Sequence, residues 1–143
     1  MKIPIEISAR HVHLSKKDVD ILFGKNYKIS ELKKISQPDQ FAAQETINII
    51  GSKNTINKVR IVGPTRKNTQ VELSITDCFY LGVESKILLS GDLKNSVGGL
   101  KLVGPIGEVK MKKGVIVAKR HLHLSPDEAI KSGLHHMDVI SIK

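Results

Sequence analysis

The sequence predicts a mainly β fold, a small barrel or sandwich carrying a few short helices. Three observations lead there. Short apolar-alternating runs recur along the whole chain. Glycine and proline break them at close intervals, twice as Gly-Pro, at Gly63-Pro64 and Gly104-Pro105. Helix starts are few and the helices they open are short.

The first element is a strand over 2–8, with Ile3, Ile5 and Ile7 on one face. His11 and His13 follow it, then a helix over 16–23. Its start is marked by Ser15 with Asp18 three residues on, and Gly24 ends it. Residues 28–35 read as a second short helix or turn, and 36–41 as a turn rich in Ser, Pro and Asp. Strands are expected over 46–50 and 56–62, the second with Lys58 and Arg60 opposite Val59 and Ile61. Gly63-Pro64-Thr65-Arg66 interrupts the sheet before a strand over 70–74, in which Glu72 sits between Val71 and Leu73. Further strands are expected at 87–89, 101–103, 109–111 and 115–118. A helix over 126–131 opens with Ser125, Pro126 and Glu128, and a last strand covers 138–142.

One unit is written twice. Ser8-Ala9-Arg10-His11-Val12-His13-Leu14-Ser15 returns as Ala118-Lys119-Arg120-His121-Leu122-His123-Leu124-Ser125, each copy after a predicted strand and before a capped helix. Residues i and i+2 of a strand share a face about 6–7 Å apart. Two imidazoles so placed can reach one divalent ion at about 2.0–2.1 Å. A single His-x-His is an ordinary polar-face pair. Two copies in one frame, holding four of the six histidines, predict metal binding.

Composition narrows the partners. At 143 residues, 40% apolar and 26% charged, the chain is globular and sized for one ordinary domain or two small ones. Its one cysteine, Cys78, reads as a small buried hydrophobe in a reducing compartment. No apolar run approaches the roughly 20 residues that span a bilayer. Met1-Lys2 leads straight into the first strand without a leader-like h-region, so cytoplasmic residence is expected. The net charge of +9 points to a polyanionic partner. The few aromatics do not interleave with Lys and Arg as a base-stacking platform would, which argues against nucleic acid. A small phosphorylated cofactor fits the charge as well.

Five stretches, in this order, resemble the PduL-type phosphotransacylases, also called phosphate propanoyltransferases. They are Ser-Ala-Arg-His-Val-His-Leu-Ser from Ser8, Ser-Gln-Pro-Asp-Gln-Phe-Ala-Ala from Ser36, Gly-Pro-Thr-Arg with Gln-Val-Glu-Leu-Ser from Gly63 and Gln70, Ser-Gly-Asp-Leu from Ser90, and Arg-His-Leu-His-Leu-Ser-Pro-Asp-Glu-Ala from Arg120. The resemblance implies two small intertwined β-barrels with short capping helices. One would span 9–117, and the other 1–8 plus 118–143. It further implies acyl exchange between coenzyme A and inorganic phosphate at two zinc ions. His11, His13 and Glu72 would bind one zinc, His121 and His123 the second, and Arg66 the phosphate. Ile7, Ser8, Ala9, Lys53 and Arg60 match the family's coenzyme A contacts.

The family's chains continue past the point corresponding to Lys143, and that part carries a third histidine for the second zinc. The barrel containing the termini is therefore expected to be incomplete and the second zinc site weakened. Another, complementing chain could supply the missing part, or His135 or His136 could substitute; the open edge also invites association into a homo-oligomer. No Ser-His-Asp or Cys-His set suggests an acyl-enzyme, so direct transfer is expected. The rivals are a zinc-dependent acyl-CoA hydrolase, a metal-binding but catalytically impaired fragment, and a basic nucleic-acid module resting on charge alone.

Overall fold

The computed structural model describes residues 7–142. The expected strand over 2–8 falls mostly outside them; Ile7 and Ser8, its described end, are exposed and not in a strand. Two compact units are present. One is Ser8–Lys119, and the described part of the other is Ile7 with 120–142.

The larger unit is mainly β, as expected, its sheet curling as an incomplete barrel. Nine strands form one sheet: β1 (His11–His13), β2 (Glu31–Lys34), β3 (Phe41–Ile50), β4 (Thr55–Gly63), β5 (Gln70–Glu72), β6 (Ile87–Leu88), β7 (Lys101–Val103), β8 (Glu108–Lys110) and β9 (Val115–Ala118). Their order is β6-β9-β5-β1-β4-β3-β7-β8, with β2 beside β3. The short β1 lies inside this sheet, parallel to β4 and antiparallel to β5. Val12 points into the core beside Val71, Ile61 and Leu14, all fully buried. Strand alternation then sends His11 and His13 to the opposite face.

Helix α1 (Lys16–Phe23) starts where the sequence places it. Ser15 accepts a hydrogen bond from the Asp18 amide, and Val19 and Leu22 enter the core. The same cap reaches across the sheet. The Ser15 amide donates to Thr69 Oγ1 at 2.9 Å, and the Thr69 hydroxyl donates in turn to the Asp18 carboxylate.

Three elements differ from the sequence reading. Residues 31–34, Glu-Leu-Lys-Lys, are a strand and not a helix or turn. All four are exposed, so no apolar periodicity marks them; pairing with β3 across the 36–40 turn imposes the extended form. Beyond β5 the chain turns into α2 (Ile75–Leu81), a helix not expected. It carries a complete capping box, Ser74 with Asp77, and ends on Gly82 in the left-handed region. Residues 138–142 are not a strand. Val139 is 97% and Ile142 54% exposed, and a strand needs a ladder partner, which these residues lack among those described.

Helix α2 is docked on the β3–β4 hairpin. The Lys53 amide donates to the Leu81 carbonyl at 3.0 Å and Asn54 Nδ2 to the Tyr80 carbonyl at 2.9 Å. The approach requires glycine at position 51, where a Cβ would lie 2.0 Å from the Leu81 carbonyl oxygen. In the smaller unit α3 (Pro126–Ser132) has the expected capping box, Ser125 with Glu128, and Gly133 as its C-terminal cap.

Candidate functional site

The antiparallel pairing of β1 with β5 builds the site. His11 faces Glu72 and His13 faces Gln70 across the ladder, so four polar side chains share one face. The ligand atoms of His11, His13 and Glu72 all lie within 4.8 Å of one another. His11 Nε2 stands 3.7 Å from Glu72 Oε2. Tetrahedral zinc with bonds of about 2.0–2.1 Å holds its ligands about 3.4 Å apart. Two imidazole nitrogens and a carboxylate oxygen are the donor set of catalytic zinc, with a further position open.

Backbone carbonyls fix both rings. His11 Nδ1 is 2.9 Å from the Ala9 oxygen and His13 Nδ1 3.1 Å from the Val62 oxygen. A carbonyl only accepts, so each Nδ1 carries a proton, and Nε2 is the ring nitrogen whose lone pair is available to a metal ion. Burial pushes the His13 pKa down from 6.5 to about 4, and the positive charge of Arg66 adds to the effect. His13 is therefore neutral at pH 7.

This shift sets a pH dependence for the metal-free protein. The unfolded chain binds a proton at His13 below about pH 6.5, whereas the folded one resists until about pH 4. Stability contributed by neutral His13 is complete above pH 6.5 and lost as the pH falls through that window. The loss is up to ~3 kcal/mol, at about 1.4 kcal/mol per pH unit between the two values. Urea unfolding in chelator at pH 7.5 and pH 4.5 measures it, and His13→Asn is expected to flatten the slope.

Arg66 is held against the same site by its backbone. Its amide donates to the Leu14 carbonyl at 2.9 Å, one residue beyond His13. The side chain is half-buried, burial pushes its pKa down while Glu72 opposes this, and its charge acts on both His13 and Glu72. Its terminal nitrogen lies 3.5 Å from Gln40 Oε1. Of the remaining positions from the sequence reading, Arg60 is the partner of His11 in the parallel β1–β4 ladder. Arg60 donates from one nitrogen to the Ala43 and Gln44 carbonyls, at 2.8 and 2.9 Å. Lys53 lies over the Phe79 ring, 5.0 Å from its centroid. Ile7, Ser8 and Ala9 are exposed ahead of β1.

The second histidine pair belongs to the smaller unit. His121 and His123 follow β9 and are not themselves in a strand, yet their Nε2 atoms converge to 3.0 Å. In the same unit the His135 backbone amide donates to Asp138 Oδ2 at 2.7 Å. Sequence reasoning missed Arg10, which pairs with Asp77 of α2 at 2.8 Å, and Gln70 and Ser90, which both reach Glu72. Ser74 and Asp77 at capping-box spacing could have revealed α2, and with it the partner of Arg10.

The family model of the phosphate propanoyltransferases matches residues 4–143. The chain belongs to the phosphate propanoyltransferase family. It is 45% identical to a phosphate propanoyltransferase of Thermotoga maritima over 140 residues, 98% of this chain and 66% of the relative. One from Rhodobacter capsulatus is 44% identical over 98% of this chain and 65% of its own. One from Salmonella typhimurium is 42% identical over 98% and 66%. The chain thus spans about two thirds of the length of the curated phosphate propanoyltransferases it matches. None of the helices among the described residues is long and apolar enough to cross a membrane.

Proposed function

We propose that this chain carries the phosphate-activating site of an acyltransferase that exchanges a short acyl group between coenzyme A and inorganic phosphate. The observation that supports this best is the convergence of His11, His13 and Glu72 on a face shared with Arg66, in a chain of this family. His11, His13 and Glu72 would hold one zinc, and His121 and His123 a second. Bound zinc supplies Lewis acidity for a thioester carbonyl and a soft partner for sulfur.

The chain's own residues do the rest. Arg66 offers a planar fork of donors to the phosphate, held beside the histidines by its bond to Leu14. Neutral His13 keeps a lone pair directed into the site and brings no positive charge of its own beside Arg66. Lys53, braced over Phe79, and Arg60, braced on β3, with Ile7, Ser8 and Ala9, would receive coenzyme A. A phosphate oxygen attacks the thioester carbon, the carbon–sulfur bond breaks, and the thiolate leaves with its electron pair. The only thiol, Cys78, is buried, and burial, with Asp77 beside it, pushes its pKa up, which suits it poorly as a covalent acyl carrier. Transfer is accordingly direct.

Free thiol released from acetyl- and propionyl-coenzyme A is expected only when phosphate is present, with matching acyl phosphate. Thiol release that ignores phosphate would identify a hydrolase instead. An acyl group found on the protein after acid quench, by intact mass, would overturn direct transfer.

A further inference from the structure

Beside the three candidate ligands lies a closed circuit of hydrogen bonds that ends on one oxygen of Glu72. The Gly91 amide donates to Gln70 Oε1 at 3.0 Å. That bond fixes the orientation of the Gln70 amide, because its Oε1 must face the Gly91 N–H. Gln70 Nε2 then donates to Glu72 Oε1 at 2.6 Å and approaches Ser90 Oγ at 3.2 Å. Ser90 accepts from Gln70, so its single proton is left for Glu72 Oε1, 2.7 Å away. Every donor in the circuit has one consistent direction. Both lone pairs of Glu72 Oε1 are taken, and Oε2 is the oxygen that faces His11 Nε2 at 3.7 Å.

We infer that Gln70 and Ser90 are positioning residues that make Glu72 a one-oxygen ligand aimed at the ion held with His11 and His13. The inference rests on the metal reading of that triad. Left alone, a carboxylate rotates and can chelate with both oxygens, closing a coordination position that a substrate needs. Two neutral donors on Oε1 prevent this, and neither adds a charge to the site. Gln70 is 1% exposed and directly opposite His13, where a charged or apolar residue would leave the Gly91 amide or the Glu72 oxygen without its partner. Ser90 arrives from the loop after β6, so the Ser-Gly-Asp-Leu stretch is tied to the site through a side chain and a backbone amide.

Zinc affinity, measured on the full chain by competition with a chromophoric chelator, tests the assignment apart from turnover. Ser90→Ala is expected to weaken zinc by about 10–100-fold at unchanged stoichiometry. Ser90→Thr, which keeps the hydroxyl, should restore it to within about twofold, and Gln70→Met should weaken zinc at least as much as Ser90→Ala. With Co2+ in place of zinc, the visible ligand-field bands should change in Ser90→Ala and return in Ser90→Thr. Because Ser90 is on an exposed loop, Ser90→Ala stays informative even where Gln70→Met fails to fold. Wild-type affinity and spectrum in Ser90→Ala, alongside loss of zinc in Glu72→Gln, would overturn the positioning role and leave the triad standing. Zinc binding unaffected by Glu72→Gln itself would instead remove the triad, and this inference with it.

Discussion

Replacing Glu72 with glutamine, or His13 with alanine, is expected to abolish phosphate-dependent thiol release, by on the order of 10³-fold or more, and zinc at the triad with it. The two variants differ in an instructive way. Glu72→Gln keeps the size and the hydrogen-bonding reach of the side chain, so the β1–β5 ladder should survive and folding with it. His13→Ala removes a buried ring and leaves the Val62 carbonyl without its partner. It should lose both activity and stability. Metal content by elemental analysis and unfolding by urea, on the same preparations, separate the two effects. Near-normal activity in Glu72→Gln would exclude this triad as the reaction centre.

Arg66→Lys is expected to lower kcat/KM for phosphate by about 10²-fold, with the KM for acyl-coenzyme A nearly unchanged. The reason lies in where the specificity of the contact comes from. A guanidinium presents parallel N–H donors to two phosphate oxygens, whereas an ammonium is a point charge on a mobile stem. The backbone bond from residue 66 to Leu14 is made by an amide that any non-proline residue supplies. The loop should therefore keep its place and the defect should fall on phosphate alone. Steady-state kinetics with each substrate varied in turn will show this. An equal loss toward both substrates would mean that Arg66 shapes the site instead of binding phosphate.

Much of the candidate site is legible in the amino-acid sequence, and the reason is local. His11 and His13 share a face because a strand alternates, a property of the backbone that needs no partner. Ser15 and Ser125 announce α1 and α3 because capping is settled within four residues. Ser74 and Asp77 carry the same signal, but Glu72 and Leu73 just before them read as a continuing strand, which hides α2. For Glu31–Lys34 no local signal exists, since four exposed residues become a strand only through the neighbour they pair with.

By itself the sequence determined the family, the mainly β class, the paired His-x-His units and the residue types able to hold a metal and a phosphate. Only the tertiary structure decided that Glu72, 61 positions from His11 along the chain, stands opposite it across the ladder, buried where a plain alternation pattern reads an outward carboxylate. It also decided that Gln70 and Ser90 close on one oxygen of that carboxylate. Alternation fixes which way a side chain points from its own strand. Which strand lies beside it is set by long-range pairing and the burial of Val12 against Val71, and no short window of sequence contains both.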